Sequence, residues 1–425
     1  MRLGVLGCGH VGGALIRLVD AHAGVIAQRT GVQLVVTRVG VRDTSRDRDV
    51  PVAASVFTDD AASVVDSDDV DLVVELIGGT DPAQSLVVAA LDAHKPVVTA
   101  NKELIAHAGV ELFDRAAASG VDFLFEASVG GGIPLIRPLR ESVAGDRIRR
   151  VLGIVNGTTN YILTRMSESG AGFDEALAEA QALGYAEADP TADIEGFDAA
   201  AKAAIVASIA FGALVTLGDV HREGITDITI DDIDAARKLG YVVKLLAIAD
   251  EQGDDVAVRV HPAMVPDDHP LAAVRESFNA VFIEGDAVGE LMLYGRGAGG
   301  GPTASAVLGD IVDAARNLAG GHPGAAMGTL ASRRIRPIGD VESQFYVPME
   351  VIDRPGVLAA IAGVFGRHGV SIKLMQQHGL GDEAQLNLVT HPAAESDFTA
   401  TLDELRGHEA VKSVGRMLRV IGDDT

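Results

Sequence analysis

The stretch LGVLGCGHVGG (residues 3–13) sets three glycines in the spacing GxGxxG directly after a short apolar run. In a strand–turn–helix unit, the first glycine permits a tight turn, the second lets the backbone approach a pyrophosphate, and the third allows close packing of helix on strand. The N-terminus of the following helix would face the phosphates. By itself the spacing could be a plain glycine-rich turn. The residues expected around a dinucleotide are Gly7, Gly9, His10, Val11 and Gly12.

Short apolar runs alternate with helical patterns through the first 135 residues. This alternation is typical of a parallel sheet with helices on both faces, because parallel strands need helix-length connections. We therefore predict a Rossmann-type doubly wound domain over residues 1–135, with its first helix through Ala14–Asp20 and with completion by a segment at about 302–335. The predicted strands after the first are LVVTRVGV (34–41), DLVVELIGG (71–79), PVVTANK (96–102) and DFLFEASV (122–129).

Beyond residue 135 the pattern changes to longer helices followed by alternating strands. We interpret residues 136–301 as a mixed α+β domain for substrate binding, catalysis and dimerisation. Residues 345–425 run strand, helix, strand, strand, helix, strand, which is the ferredoxin-like βαββαβ order. The helices predicted in the middle domain are 173–183, 198–217 and 231–239.

Composition excludes several classes of function. Sixty acidic residues against 35 basic ones give a net charge of −25, which disfavours binding to nucleic acid or anionic membranes. The acids are mostly Asp (39 Asp, 21 Glu) and the bases mostly Arg (28 Arg, 7 Lys), a bias that favours adaptation to high salt over a merely acidic protein. Apolar runs are too short to cross a membrane, and the single cysteine, Cys8, excludes an internal disulfide. With no signal-peptide pattern either, the sequence predicts a soluble, cytoplasmic protein.

The densest group of ionisable residues lies in ALGYAEADPTADIEGFDAAAK (182–202). Lys202 stands four residues after Asp198, so a helix would bring both side chains to one face. A solvated acidic loop followed by an ordinary ion pair is the alternative. However, lysine is scarce in this chain, and Lys202 lies in the otherwise apolar run AAAKAAIVASIAF (199–211). A lysine buried beside a carboxylate is suited to acid–base work, so we predict that this pair is catalytic.

Three further positions are candidates for ligand contacts. Lys102 follows a predicted strand, at the edge of the sheet where open α/β proteins bind ligands. The segment EASVGGGIP (126–134) offers Glu126 and exposed carbonyls, so it is either a site for a monovalent cation or a plain hinge. Arg42, after the second strand, is suited to the 2′-phosphate of NADP, whereas Asp43 would suit the ribose of NAD. We favour NADP; the alternative is that Arg42 is a solvated loop residue.

The segment from Ala180 to Lys202 resembles the signature of the homoserine dehydrogenase family, and every fixed position is met. Six further blocks resemble those of the family in the same order: GCGHVG, VVELIGG, VVTANKEL, EASVGGGIP, NGTTNYIL and GRGAGGGPT. The resemblance covers about residues 1–335 and is to the monofunctional members. Cys8 and His10 depart from the family's usual residues, which we expect to alter affinity and not activity. The matching signature positions are Ala180, Gly184, Tyr185, Ala186, Asp189, Pro190, Asp193, Ile194, Gly196, Asp198 and Lys202.

The resemblance implies NAD(P)-dependent interconversion of L-aspartate 4-semialdehyde and L-homoserine, in threonine, methionine and isoleucine biosynthesis. It implies that Lys202 transfers the hydroxyl proton with Lys102 as helper, and that Glu187 and Asp198 hold the amino group of the substrate. The other implied substrate contacts are Thr159 and Tyr185. The other implied cofactor contacts are Gly184 and Gly301. The implied sodium ligands are Glu126 and the carbonyls of Val129, Gly131 and Ile133.

The C-terminal unit resembles an ACT regulatory domain, with the turn DRPG (353–356) between its first strand and helix. Such domains bind amino acids between paired units. The resemblance therefore implies a homodimer or homotetramer, with threonine as a feedback effector near Asp353 and Gly356. The alternative is a dimerisation module that binds nothing.

Two rival functions fit parts of the sequence. An aspartate-semialdehyde dehydrogenase needs a cysteine nucleophile in its catalytic domain, and the single cysteine lies in the glycine loop, which excludes that reaction. An amino-acid sensor built on an inactive dehydrogenase is the non-enzyme alternative. The presence of Lys102, Glu187, Asp198 and Lys202 argues against it.

Overall fold

The computed structural model describes residues 1–324, 327–328, 330–379 and 381–422. The strands of its first domain are β1 (Arg2–Leu6), β2 (Val35–Gly40), β3 (Phe57–Thr58), β4 (Leu72–Glu75), β5 (Val97–Thr99) and β6 (Phe123–Leu124). The helices are α1 (His10–Ala21), α2 (Ala23–Thr30), α3 (Ala61–Asp66), α4 (Ala83–Asp92) and α5 (Lys102–Ser119). The strands form one parallel sheet in the order β3-β2-β1-β4-β5-β6.

This strand order is the Rossmann order, and it confirms the predicted fold class. The central strands are runs of Val and Leu because helices cover both faces of a parallel sheet. Helix α1 begins at His10, directly after Gly9 of the GxGxxG motif and four residues before the predicted start at Ala14. Strand β2 ends at Gly40, so Arg42 lies in the loop that follows.

The middle of the chain forms a mixed domain around antiparallel strands. Its strands are β7 (Ile148–Ile154), β8 (His221–Arg222), β9 (Tyr241–Gln252), β10 (Asp255–Pro266), β11 (Phe278–Gly285) and β12 (Gly289–Arg296). Its helices are α6 (Gly157–Ser169), α7 (Phe173–Ala182), α8 (Thr191–Ile194), α9 (Phe197–Phe211) and α10 (Ile230–Lys238). The principal strands run in the order β12-β11-β7-β9-β10.

One helix of this region ends earlier than predicted, and another packs against the first domain. Helix α9 stops at Phe211, short of the predicted Leu217, because Gly212 takes a left-handed conformation (φ 58°) that ends the helix. The helix that follows the strands of this domain, α11 (Gly300–Gly320), returns to pack against α1. Val307 and Ile311 of α11 are fully buried among the apolar residues of the Rossmann sheet. Helix α11 therefore completes the core of the first domain.

The C-terminal domain has the predicted βαββαβ order with two short strands added, one before its second helix and one after it. Its elements are β13 (Glu342–Ile352), α12 (Val357–Arg367), β14 (Ile372–Gly379), β15 (Glu383–Thr390), β16 (Ala393–Ala394), α13 (Glu395–Arg406), β17 (Val411–Val414) and β18 (Leu418–Val420). It has its own apolar core, in which the rings of Phe345 and Phe398 stack at 4.3 Å between centroids.

Strand β18 joins the C-terminal and middle domains into one sheet, which the sequence did not predict. It pairs antiparallel with β13 and also parallel with β10, where Arg419 is opposite Ala263. Leu418 and Val420 are buried at 2% and 4% exposure. Within the described residues, none of the helices has the length and apolar character needed to cross a membrane.

We expect removal of residues 415–425, which deletes β18, to lower the midpoint of thermal unfolding by about 5 °C or more. The deletion leaves part of the edge of β10 unpaired and removes three buried apolar side chains, Leu418, Val420 and Ile421, each contributing roughly 1.5–3 kcal/mol by burial. It also removes the buried side chain of Arg419. Circular dichroism melting curves measure the change. Removal of residues 423–425 alone is the matched control. Equal midpoints for the two truncated chains would show that β18 does not stabilise the fold.

Candidate active site

A cleft of about 860 Å³ opens between the carboxyl edge of the Rossmann sheet and the middle domain. Open α/β sheets bind their ligands at this edge. Residues from both domains line the cleft, so a molecule inside it would contact both at once. The lining includes Val11, Gly79, Lys102, Gly131, Asn156, Gly184, Tyr185, Glu187, Asp193, Asp198, Lys202 and Gly299.

The glycine loop fits a dinucleotide phosphate. Gly7 has a φ of 99°, and a Cβ there would lie 2.6 Å from the carbonyl oxygen of Leu76. At Gly12 a Cβ would collide with the carbonyl oxygen of Gly7, so only glycine lets α1 approach β1 this closely. Gly9 faces open space and caps α1 without a side-chain hydrogen bond. The first amides of α1 are therefore accessible to a phosphate.

Two lysines from different domains meet at one buried carboxylate. Lys102 Nζ lies 2.7 Å from Oδ1 of Asp198, and Lys202 Nζ donates to Oδ2 of Asp198 at 2.7 Å. Lys202 also donates to the carbonyl oxygen of Val155 at 2.7 Å. The side chains of Asp198 and Lys202 are 8% and 11% exposed, against 36% for Lys102. A buried carboxylate requires charge partners, so the three groups hold one another in place.

The backbone brings these groups together from distant parts of the sequence. Lys102 is the first residue of α5, just beyond β5, and Asn101 caps that helix with its side chain. Asp198 and Lys202 lie one turn apart on α9. Helix α9 begins after Gly196, whose left-handed conformation (φ 76°) turns the chain sharply into the helix.

Both charges of the Lys102–Asp198 pair are stabilised. Burial acts to lower the pKa of Lys102, but the Asp198 carboxylate outweighs burial and raises that pKa above its ordinary value. Burial acts to raise the pKa of Asp198, but Lys202 and Lys102 outweigh it and hold that pKa well below its ordinary value. At neutral pH, Asp198 is therefore a carboxylate and Lys102 an ammonium.

Asn156 belongs to the same network, although the sequence did not single it out. Its Nδ2 donates to Asp198 at 2.9 Å and to Asp193 at 2.6 Å. Its Oδ1 accepts from the backbone N–H of Thr159 at 2.9 Å and so caps α6. The available signal was the block NGTTN (156–160), in which an Asn between a strand and a helix is suited to a cap.

The residues expected at the substrate are distributed differently from the prediction. Glu187 and Tyr185 line the cleft, and both are exposed. Thr159 does not line it: its hydroxyl turns back to Asn156, because the third residue of a helix lies over its cap. Thr158 lines the cleft instead and donates to the carbonyl oxygen of Tyr185 at 2.6 Å.

Asp198, whose contact with the amino group of a substrate stays a prediction, has three partners within the protein. Its two oxygens already accept from Lys102, Lys202 and Asn156. This geometry makes Asp198 a bridge between the lysines. Asp193, on the same wall of the cleft, has one oxygen engaged by Asn156.

The predicted cofactor-specificity residues lie in the loop after β2. Arg42 is exposed there. The Oδ1 of Asp43 accepts the backbone N–H and the hydroxyl of Ser45 at 2.9 and 2.6 Å, which lowers the pKa of Asp43. Asp43 is thereby held in a local turn.

The N-termini of α1 and α11 lie side by side at the cleft. A Cβ on Gly300, the first residue of α11, would be 2.9 Å from the carbonyl oxygen of His10. Gly301, the next residue, is exposed. Its contact with a nicotinamide stays a prediction.

The glycine-rich segment 126–134 connects the two domains. The buried carboxylate of Glu126 accepts the backbone N–H groups of residues 135–137, so it is committed to the backbone. Within the described residues, no backbone N–H donates to the carbonyl oxygens that the family resemblance implies as cation ligands. These oxygens belong to Val129, Gly131 and Ile133.

Cys8 packs beside the glycine loop with its thiol partly buried. Burial raises the pKa of this thiol, which disfavours the thiolate that a nucleophilic cysteine requires. The structure thus agrees with the exclusion of a cysteine-dependent aldehyde dehydrogenase.

In the C-terminal domain, the DRPG turn leads into α12. Gly356 caps this helix with a φ of 95°. Asp353 accepts a hydrogen bond from Gln377 of β14 at 3.3 Å. β14 is the last strand of the sheet, and its Leu374 and Met375 side chains are exposed.

Comparison with known proteins finds a matching family for each of the three domains. Residues 7–126 match the NAD-binding domain of homoserine dehydrogenase, residues 134–312 match homoserine dehydrogenase itself, and residues 347–410 match the ACT domain. Homoserine dehydrogenase of Mycobacterium tuberculosis is 48% identical over 98% of this chain and 97% of its own length.

Solved structures give the same result. The crystal structure of a homoserine dehydrogenase from Thiobacillus denitrificans has a TM-score of 0.92 and 40% identity, covering 99% of this chain and 98% of its own. A hyperthermophilic archaeal homoserine dehydrogenase in complex with NADPH has a TM-score of 0.61 and 30% identity, covering 74% of this chain and 97% of its own. The chain therefore belongs to the homoserine dehydrogenase family of NAD(P)-dependent oxidoreductases, in a form with a C-terminal ACT domain.

Proposed function

We propose that Asp198, Lys102 and Lys202 form the proton-transfer centre for interconversion of L-aspartate 4-semialdehyde and L-homoserine. The observation that carries this proposal is one buried carboxylate holding two ammonium groups at the wall of the cleft. Reduction of an aldehyde requires a hydride at carbon and a proton at oxygen. A bound nicotinamide supplies the hydride.

Lys202 is the better proton donor of the two lysines. An ammonium group has three N–H donors, and Lys202 uses two of them on Val155 and Asp198. The third is available for the substrate oxygen. Lys102 is more exposed and assists by stabilising negative charge on that oxygen.

The substrate ammonium requires a carboxylate that is not already paired with lysine. Glu187 meets this condition at the cleft wall, and Asp193 offers its second oxygen. Asp198 is engaged by both lysines, so we assign it to the lysines and Glu187 with Asp193 to the amino group.

We expect Lys202→Met to lower kcat for homoserine oxidation by about 10²–10⁴, the usual contribution of a positioned proton-transfer group. The KM values should change much less. Steady-state assays at 340 nm measure both. Lys95→Met is the matched control, because Lys95 likewise donates to two oxygens, both backbone carbonyls, at 2.6 and 2.7 Å, but does not line the cleft. If both variants keep the wild-type kcat, Lys202 is a structural residue.

We propose NADP(H) as the preferred cofactor, held at its 2′-phosphate by Arg42. Two observations support this preference: the exposure of Arg42 and the commitment of Asp43 to a local turn. NADPH is also the cofactor present in the archaeal relative.

Arg42→Ala should raise the KM for NADP by about tenfold or more and leave the KM for NAD within about twofold. The reason is that only NADP carries the 2′-phosphate, and a charge-assisted hydrogen bond contributes about 1.5–3 kcal/mol. Arg46→Ala, in the same exposed loop, is the control for a general loss of positive charge. Equal effects on both cofactors would assign Arg42 to loop structure.

A sodium ion fits the 126–134 segment only through backbone oxygens. The Glu126 carboxylate is occupied by amides, so the ligands we propose are its carbonyl and those of Val129, Gly131 and Ile133. Such an ion would stiffen the segment that joins the two domains.

We propose threonine as a feedback inhibitor that binds between paired ACT domains of a cytoplasmic homodimer or homotetramer. The exposed edge strand β14 supports pairing, because an uncovered edge readily accepts a second strand.

The salt adaptation suggested by the acidic composition stays a prediction.

Asp353→Ala should raise the threonine concentration for half-inhibition by about fivefold or more, with kcat unchanged, since Asp353 does not line the cleft and lies in the turn before α12. Inhibition curves on the full chain test this, with Asp397→Ala, an exposed acid on α13, as control. Equal inhibition of wild type and Asp353→Ala would point to competition at the homoserine site. No inhibition of the wild type would leave the ACT domain with another ligand or none.

A further inference from the structure

A buried guanidinium joins the C-terminal domain to the middle domain. Arg419, on β18, is 2% exposed. Its Nη2 lies 2.7 Å from Glu223, which follows β8, and 2.5 Å from Glu395, the first residue of α13. Its Nε also donates to Glu395 at 2.8 Å. One side chain therefore ties a loop of the middle domain to a helix of the ACT domain.

The Glu223 carboxylate is fixed on its other side as well. The ring Nε2 of His221 lies 2.8 Å from the same Glu223 oxygen that contacts Arg419. Burial acts to raise the pKa of Glu223, but His221 and Arg419 outweigh it and hold that pKa well below its ordinary value. The backbone N–H of Glu223 donates to the carbonyl oxygen of Val260, on β10, at 2.8 Å. Glu223 is thus an ionised, immobilised group.

The residues around Glu223 form a support segment (residues 222–226) that packs against the catalytic turn (residues 194–197). A Cβ on Gly224 would be 2.7 Å from the Cα of Glu195, so the two backbones are in direct contact. The hydroxyl of Thr226 donates to the Glu195 carboxylate at 2.6 Å.

Further contacts extend along the whole catalytic turn. The backbone N–H of Ile225 donates to the carbonyl oxygen of Ile194 at 2.8 Å. The Arg222 guanidinium stacks 3.5 Å from the centroid of the Phe197 ring and donates to the carbonyl oxygen of Glu195. The catalytic turn is therefore held from end to end by the support segment.

The catalytic turn connects two of the carboxylates that line the cleft. Asp193 precedes it and Asp198 follows it, and both accept from the amide of Asn156. The contacts of Asp198 with Lys102 and Lys202 are each 2.7 Å long, so a small displacement of the turn would weaken both.

We propose that Glu223 and Arg419 are positioning residues for the Asp198–lysine centre, and that the ACT domain thereby supports the active site through β18. The contacts run from Glu395 through Arg419 and Glu223 to the catalytic turn. This inference rests on the proposed role of Asp198 in proton transfer.

The principal test is Glu223→Gln in the full chain. Gln keeps the shape of the side chain, and Arg419 remains paired with Glu395, so the fold should persist. We expect kcat for homoserine oxidation to fall about tenfold, with the KM for the cofactor within about twofold. Arg419→Lys, which keeps the charge but not the fork that reaches two carboxylates, should give an intermediate kcat.

The matched control is Arg416→Ala. Arg416 also makes an ion pair between domains, at 2.8 Å with the exposed Asp227, but this pair does not reach the catalytic turn. The kcat of Arg416→Ala should stay within about twofold of wild type. Thermal midpoints are measured in parallel, and all assays run well below them. Wild-type kcat in both Glu223→Gln and Arg419→Lys would overturn the proposal.

A double-mutant cycle with Asp198→Asn separates positioning from general structural support. If Glu223 acts through Asp198, its replacement should have little further effect on kcat once Asp198 is changed. A full additional tenfold loss would overturn the proposal. Failure of the proposed proton-transfer centre is recognised separately, because Asp198→Asn and Lys202→Met would then retain activity.

Discussion

A carboxylate stays ionised inside a protein only if other groups supply its charge balance, and Asp198 obtains that balance from lysines of two domains. Lys102 enters from the end of β5 in the Rossmann sheet, whereas Asp198 and Lys202 come from α9. Closure of the two domains around the cleft is therefore a requirement of the electrostatics as well as of packing. The same requirement accounts for the buried cap Asn101, for Asn156, and for the close support of the residues that precede Asp198.

Features encoded within a few neighbouring residues could be predicted from the sequence. The GxGxxG loop, the Rossmann sheet, the βαββαβ domain and the i,i+4 relation of Asp198 to Lys202 all depend on local spacing and periodicity. The Lys102–Asp198 contact does not, because it joins residues far apart in the chain. The sequence did not predict this contact, because the resemblance implied only that Lys102 assists Lys202.

Other features depended on geometry that local patterns do not carry. The register of α6 decides which of two adjacent threonines faces the cleft, and Asn156 as the cap directs Thr159 inward. The Glu126 carboxylate binds backbone amides because residues 135–137 turn back over it. The pairing of β18 with β10 is set by tertiary contacts. A three-residue strand is too short for its sequence pattern to predict the partner strand.

The insertion of β18 beside β10 has a consequence for how the protein is made. Ala263 and its partner Arg419 are separated by 156 positions in the chain. At a synthesis rate of about 5–20 residues per second, the ribosome needs roughly 8–30 s to make the second after the first. For that time part of the β10 edge has no partner strand, and an open edge invites pairing with other chains. Assembly of the sheet that contains β10 therefore ends with a slow, long-range pairing step. The rate of such a step depends on contact order, and its success depends on protection of the nascent chain.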